Sequence, residues 1–109
     1  MFTRDIHSNN ENINTALYDL TKSIEMCRKS KEKLLCIIVG YGSTGKTHKI
    51  KNAVENELIS LKNQHKIKDF IFGNDLDIFS SKYQSFKYSH IIPADEKNKR
   101  NSGAVYIVL

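Results

Sequence analysis

Leu34-Leu35-Cys36-Ile37-Ile38-Val39 runs directly into Gly40-Tyr41-Gly42-Ser43-Thr44-Gly45-Lys46-Thr47. The first half is a short, unbroken apolar run, the pattern of a strand buried on both faces. The second half is a glycine loop. Behind it Ile50, Ala53, Val54, Leu58 and Leu61 recur at helical spacing, so the loop joins a strand to an amphipathic helix.

Upstream, Ile13, Leu17, Leu20, Ile24 and Cys27 step by 4, 3, 4 and 3, one stripe of another helix. Ser8-Asn9-Asn10 offers N-cap residues before it, and Arg28-Lys29-Ser30-Lys31 puts positive charge on its last turn. Phe2-Thr3-Arg4-Asp5-Ile6-His7 alternates as a short first strand. Downstream, residues 67–72 read as a third strand stopped by Gly73, and residues 104–109 as a fourth. Residues 74–103 carry little pattern: Phe79, Tyr83 and Phe86 fit either one face of a short helix or a pinned loop, and 95–101 reads as a solvated charged loop. The order β-α-β-α-β-β predicts one α/β domain over residues 1–109, a two-layer sandwich with a four-stranded mixed sheet and two main helices.

The chain has 109 residues, of which 39% are apolar, enough for a single core. No apolar run approaches the ~20 residues of a membrane span, and residues 1–5 do not open a signal peptide. The expectation is a cytoplasmic protein with no membrane partner. Cys27 and Cys36 form neither a metal-ligand pattern nor a disulfide framework, and Cys36 reads as a buried thiol. Seventeen Lys and Arg against twelve Asp and Glu give a net charge of +5. Residues 22–68 hold eleven basic and four acidic residues, so the middle of the chain carries the whole excess. Such a block attracts polyanions, nucleic acid first among them.

A strand-helix-strand unit in one sheet is a right-handed crossover with parallel strands. It sets the end of the first strand beside Gly40, on the edge where open α/β sheets bind ligands. Asp5 and His7, two apart on a strand, share a face, and a carboxylate beside an imidazole can fix its tautomer and stabilise its charge. The alternative for this pair is two solvent-facing residues on an edge strand.

Residues 40–47 match G-x-x-x-x-G-K-[ST], the pattern of a P-loop. On that reading backbone amides cradle phosphates, Lys46 neutralises charge and Thr47 holds magnesium. Too few residues follow the second helix for a large parallel sheet, and the third strand ends in Gly73-Asn74-Asp75 with its carboxylate past the strand.

The whole chain resembles a different family. Asp5-Ile6-His7 is similar to the D-L-H element that opens the small MutS-related (Smr) domain, and Gly40-Tyr41-Gly42 to its H-G-x-G or T-G-x-G element. Ile50-Lys51 resembles its aliphatic-plus-basic pair, and residues 102–109 its closing glycine and final strand. The resemblance implies a fold similar to the carboxy-terminal domain of translation initiation factor 3. It also implies a nucleic-acid-binding domain whose members include RNA-cleaving and DNA-nicking endonucleases, some acting on messenger RNA at the ribosome. Three positions depart from the pattern. Val39 stands where many members have His or Thr, Ser8 where glycine usually follows the His, and Arg4 where an aliphatic residue precedes the Asp.

The expected site follows. Gly40, Tyr41, Gly42, Ser43, Thr44 and Gly45 receive a backbone phosphate at the helix mouth. Lys46, Lys49 and Lys51 add charge, and Tyr41 either stacks on a base or packs on its neighbours. For RNA, His7 serves as base for the 2′-hydroxyl or acid for the leaving oxygen, with Asp5 orienting it and no metal needed. For DNA, an activated water would be required, with a divalent ion on Asp5 as an option. A binding module without cleavage is the alternative, and a P-loop protein the third. RNA against DNA, sequence preference and oligomeric state stay open. His65 reads as solvated and His90 takes no role.

Overall fold

The computed structural model describes residues 1–6, 12–40 and 45–109, with the backbone alone for 45–47. Four strands form one sheet: β1 (Phe2–Asp5), β2 (Leu34–Ile38), β3 (Asp69–Phe72) and β4 (Ala104–Val108), in the order β1-β2-β4-β3. β1 and β2 are parallel, while β4 runs antiparallel to both β2 and β3. The first three strands therefore point the same way, and the sheet is mixed as expected.

The two long helices, α1 (Ile13–Lys29) and α2 (Gly45–Asn63), follow β1 and β2. Each crossover moves in the same direction across the sheet, β1 to β2 and then β2 to β3. Right-handed crossovers that move the same way place both helices on the same face. Ala16, Leu20, Ile24 and Cys27 of α1 and Ile50, Val54 and Leu58 of α2 are buried there against Leu35, Ile37, Phe72, Val105 and Ile107. The predicted stripes hold except at its start, where Ile13 is exposed. Ser23, buried in the same stripe, satisfies its hydroxyl on the Asp19 carbonyl at 2.7 Å. The N-cap is Asn12, whose Oδ1 accepts from the Thr15 amide at 2.9 Å; the predicted cap at residues 8–10 lies outside the described residues.

The other face of the sheet would be bare in a strict two-layer fold. Residues 73–103 cover it. They contribute two single-turn 3-10 segments and two short helices, α3 (Ser81–Ser85) and α4 (Ala94–Lys99). Leu76, Phe86 and Ile92 are buried here against Leu34, Cys36, Ile71, Tyr106 and Val108. Phe86 and, partly, Tyr83 face the core, but Phe79 is exposed, so the three do not form one buried face. The stretch expected to be a charged loop is α4. Asp95 and Glu96 sit in its first turn and Lys97 and Lys99 in its last, matching the helix dipole. The third strand is shorter than expected, starting at Asp69, although Ile67 ahead of it is buried.

Both thiols are buried and unpaired by disulfide. Among the described residues no helix is long and apolar enough to cross a membrane.

Candidate functional site

Parallel pairing places Asp5 opposite Ile38, and the Ile6 amide donates to the Ile38 carbonyl at 3.1 Å. The end of β1 thus lies two residues before Gly40, as the crossover argument requires. The same edge carries the start of α2 at Gly45 and the start of β4. Parallel partners project to the same side, so Asp5 shares the face of Ile38, the face away from α1 and α2. Asp5 is exposed there. Arg4, on the opposite face, is half-buried with its guanidinium on the Met26 sulfur at 3.4 Å. Its alkyl stem takes the place that an aliphatic residue would fill against α1.

The turn before β4 closes on Gly40, the first residue of the glycine loop. The Gly103 carbonyl accepts from the Val39 amide at 2.7 Å and the Gly40 amide at 3.2 Å. Gly40 has φ 89, and a Cβ on Gly103 would stand 3.0 Å from the Gly40 carbonyl carbon. Two glycines are needed for this approach: one supplies the left-handed backbone, the other leaves out the clashing side chain. Asn101 shapes the turn by accepting the Gly103 amide on Oδ1 at 2.9 Å.

Lys51 serves this turn. Its ammonium donates to the Ser102 carbonyl at 2.8 Å and lies 5.2 Å from the centre of the Phe72 ring. It was expected to add charge for a phosphate; here it fastens α2 to the closing turn. Lys49 is exposed on the first turns of α2, and His48 beside it contacts the Asn52 amide at 3.2 Å. His7, Tyr41, Gly42, Ser43 and Thr44 lie outside the described residues, as do the side chains of Lys46 and Thr47.

Asn101 and the Ser102 carbonyl are the parts that sequence reasoning missed. The Asn-Ser-Gly run is a turn signal, but nothing local says that Lys51 reaches it. Among the described residues no group of three or more His, Cys, Asp or Glu gathers to hold a metal ion. A P-loop reading finds little support: the glycine-loop strand β2 lies between the parallel β1 and the antiparallel β4, with β3 beyond β4, and Asp75, past the end of β3, pairs with Lys82 at 3.7 Å.

The architecture is similar to the crystal structure of the Smr domain of Thermus thermophilus MutS2, with a TM-score of 0.60 over 100% of this chain and 98% of that chain. The fold is that of an Smr domain. Identity between the two is 14%, and no family model and no curated protein matches the sequence. The likeness therefore speaks for the fold, end to end, and it includes residues 73–103.

Proposed function

We propose that this chain is a nucleic-acid-binding domain of the Smr type that receives a backbone phosphate at the mouth of α2. The observation that carries the reading is the shared sheet edge. The end of β1, the Gly40–Gly103 approach and the first turn of α2 meet there, in a fold similar to an Smr domain. Amides at a helix N-terminus favour an anion, and glycines allow it close. The basic excess of residues 22–68 supplies long-range attraction.

In the finer reading the domain cleaves RNA. His7 takes the 2′-hydroxyl proton as that oxygen attacks phosphorus, or protonates the 5′-oxygen as it leaves. Asp5 orients the imidazole, and the loop amides with Lys46 stabilise the charge that builds on the phosphoryl oxygens. One observation favours the second reading, binding without cleavage. Val39, where many Smr domains have a polar residue, is 1% exposed and packed in the helix-face core. It offers no group to a scissile phosphate.

Labelled single-stranded RNA, incubated with and without a chelator, separates the two readings. Cleavage that survives chelation and is lost in Asp5→Ala and His7→Ala, with the fold unchanged, supports the nuclease. Intact RNA bound in a salt-sensitive manner, and weakened by Lys46→Ala, supports the binding module. Absence of any salt-sensitive binding, or tight nucleoside triphosphate binding abolished by Lys46→Ala, would overturn both.

A further inference from the structure

Phe79 is 85% exposed, more than any other large apolar side chain among the described residues, and Ile78 beside it is 66% exposed. The turn that carries them is held from both sides. Asp77 Oδ1 accepts from the Phe79 amide at 3.0 Å, and the Asp77 carbonyl from the Ser80 amide at 2.8 Å. Gln84 Nε2 donates to the Ile78 carbonyl at 2.9 Å. Ser80 then caps α3 by accepting from the Tyr83 amide. A large ring is thus presented to solvent on a fixed backbone.

Its place matters as much as its exposure. The turn follows the carboxyl end of β3, which is on the same sheet edge as the ends of β1 and β2. It is also joined to the turn that packs on Gly40. Arg100 pairs with Asp77 at 3.6 Å, Gly73 packs directly on the Asn101 backbone, and Asn101 holds Gly103 against Gly40. One continuous set of contacts therefore leads from Gly40 to the backbone of Phe79.

We propose that Phe79, with Ile78 beside it, is a base-stacking platform belonging to this edge, so that the ligand is single-stranded nucleic acid or an unpaired segment of a folded one. The inference rests on the nucleic-acid reading above and narrows it. Proteins that hold single strands combine a cationic track for the backbone with aromatic rings on which bases stack, a contact indifferent to sequence. Bases inside a duplex are already stacked on one another and cannot lie on the ring. The exposed Phe79 ring is a flat apolar face of the kind on which a single base stacks. A stable protein interface needs roughly 20–30 residues a side, far more than two neighbouring side chains.

The chain contains no tryptophan, so Phe79→Trp creates a lone indole at the tested position. Its emission is followed while a labelled 2′-O-methyl RNA strand, uncleavable through the 2′-hydroxyl, is titrated and its anisotropy recorded. The same strand as a duplex, and a version with abasic positions, complete the set. Quenching by the single strand but not by the duplex or the abasic version is expected. Phe79→Ala should weaken single-strand binding roughly tenfold and leave duplex binding unchanged. Normal anisotropy with unquenched indole and full affinity in Phe79→Ala would overturn the platform while leaving the phosphate site standing. Absence of strand binding by the unaltered chain would bring down the nucleic-acid reading itself. An emission shift that grows with protein concentration alone would show a second copy of the chain covering Phe79, and would also overturn the proposal.

Discussion

The two faces of the sheet are covered by different means. On one, α1 and α2 lay long apolar stripes over Leu35, Ile37, Val105 and Ile107, and among the described residues Ser23 is the one polar side chain fully buried. On the other, short segments bury fewer side chains and are fastened by polar contacts. Tyr106 Oη donates to Glu96 Oε2 at 2.8 Å, Glu96 also pairs with Lys99 at 3.2 Å, and Asp77 pairs with Arg100. Burial of apolar side chains is non-directional and carries no titratable group, whereas a polar contact is directional and responds to the loss of a single atom. We expect the helix face to fail only with the whole fold and the other face to loosen by itself.

The largest effect belongs to the helix face. Leu58 is fully buried between α2 and the sheet. Leu58→Ala should cost about 2–5 kcal/mol through lost transfer energy and a residual cavity. Urea unfolding followed by circular dichroism and by thiol accessibility should shift by the same amount in both signals. If the two signals separate, the helix face is not the cooperative unit described above.

A smaller effect appears at alkaline pH and involves the other face more. Burial, then the nearby Glu96, pushes the Cys36 thiol up to about 11. Burial, then the hydrogen bond to Glu96, raises the Tyr106 phenol as well. Each group has a higher pKa folded than unfolded, so its contribution is intact below the unfolded value and falls away as pH rises. For Cys36 that window runs from about pH 9 to about 11 and amounts to roughly 2–3 kcal/mol; Tyr106 carries the loss higher. Cys27, on the helix face, is raised by burial and then by Glu32, and acts in the same direction. Urea midpoints at pH 7.5, 9 and 10.5 should fall steadily above pH 9, with a shallower fall in Cys36→Ala. A flat profile would contradict the assignment.

The same contrast explains what could be read beforehand. Leu20, Ile24 and Cys27, and Ile50, Val54 and Leu58, announce themselves because burying one helix face forces a 3.6-residue repeat. The meeting of β1 with Gly40 was legible too, since crossover handedness leaves little choice. Residues 74–103 were not, because helices of five or six residues are too short to show a period. Their positions depend on partners distant in sequence, as Glu96 depends on Tyr106 and Lys51 on Ser102. The charges of α4 did carry a signal, acids first and bases last, that its reading as a loop passed over.

The smallest predicted effect is the sharpest test of the comparison. Tyr106→Phe removes one oxygen and keeps a ring that is fully buried. Glu96 loses its 2.8 Å donor but keeps Lys99, and its side chain, 17% exposed, still reaches solvent. The cost to overall stability should be modest, about 1–2 kcal/mol. Because α4 has so little else to hold it, amide exchange across residues 94–100 should quicken well beyond that seen in α1 or α2. Burial alone would predict no change there, since removing a buried hydroxyl makes the core more apolar and leaves α4 as protected as before. Unchanged exchange in that segment would mean that both faces are held in the same way, and the distinction between them would be lost.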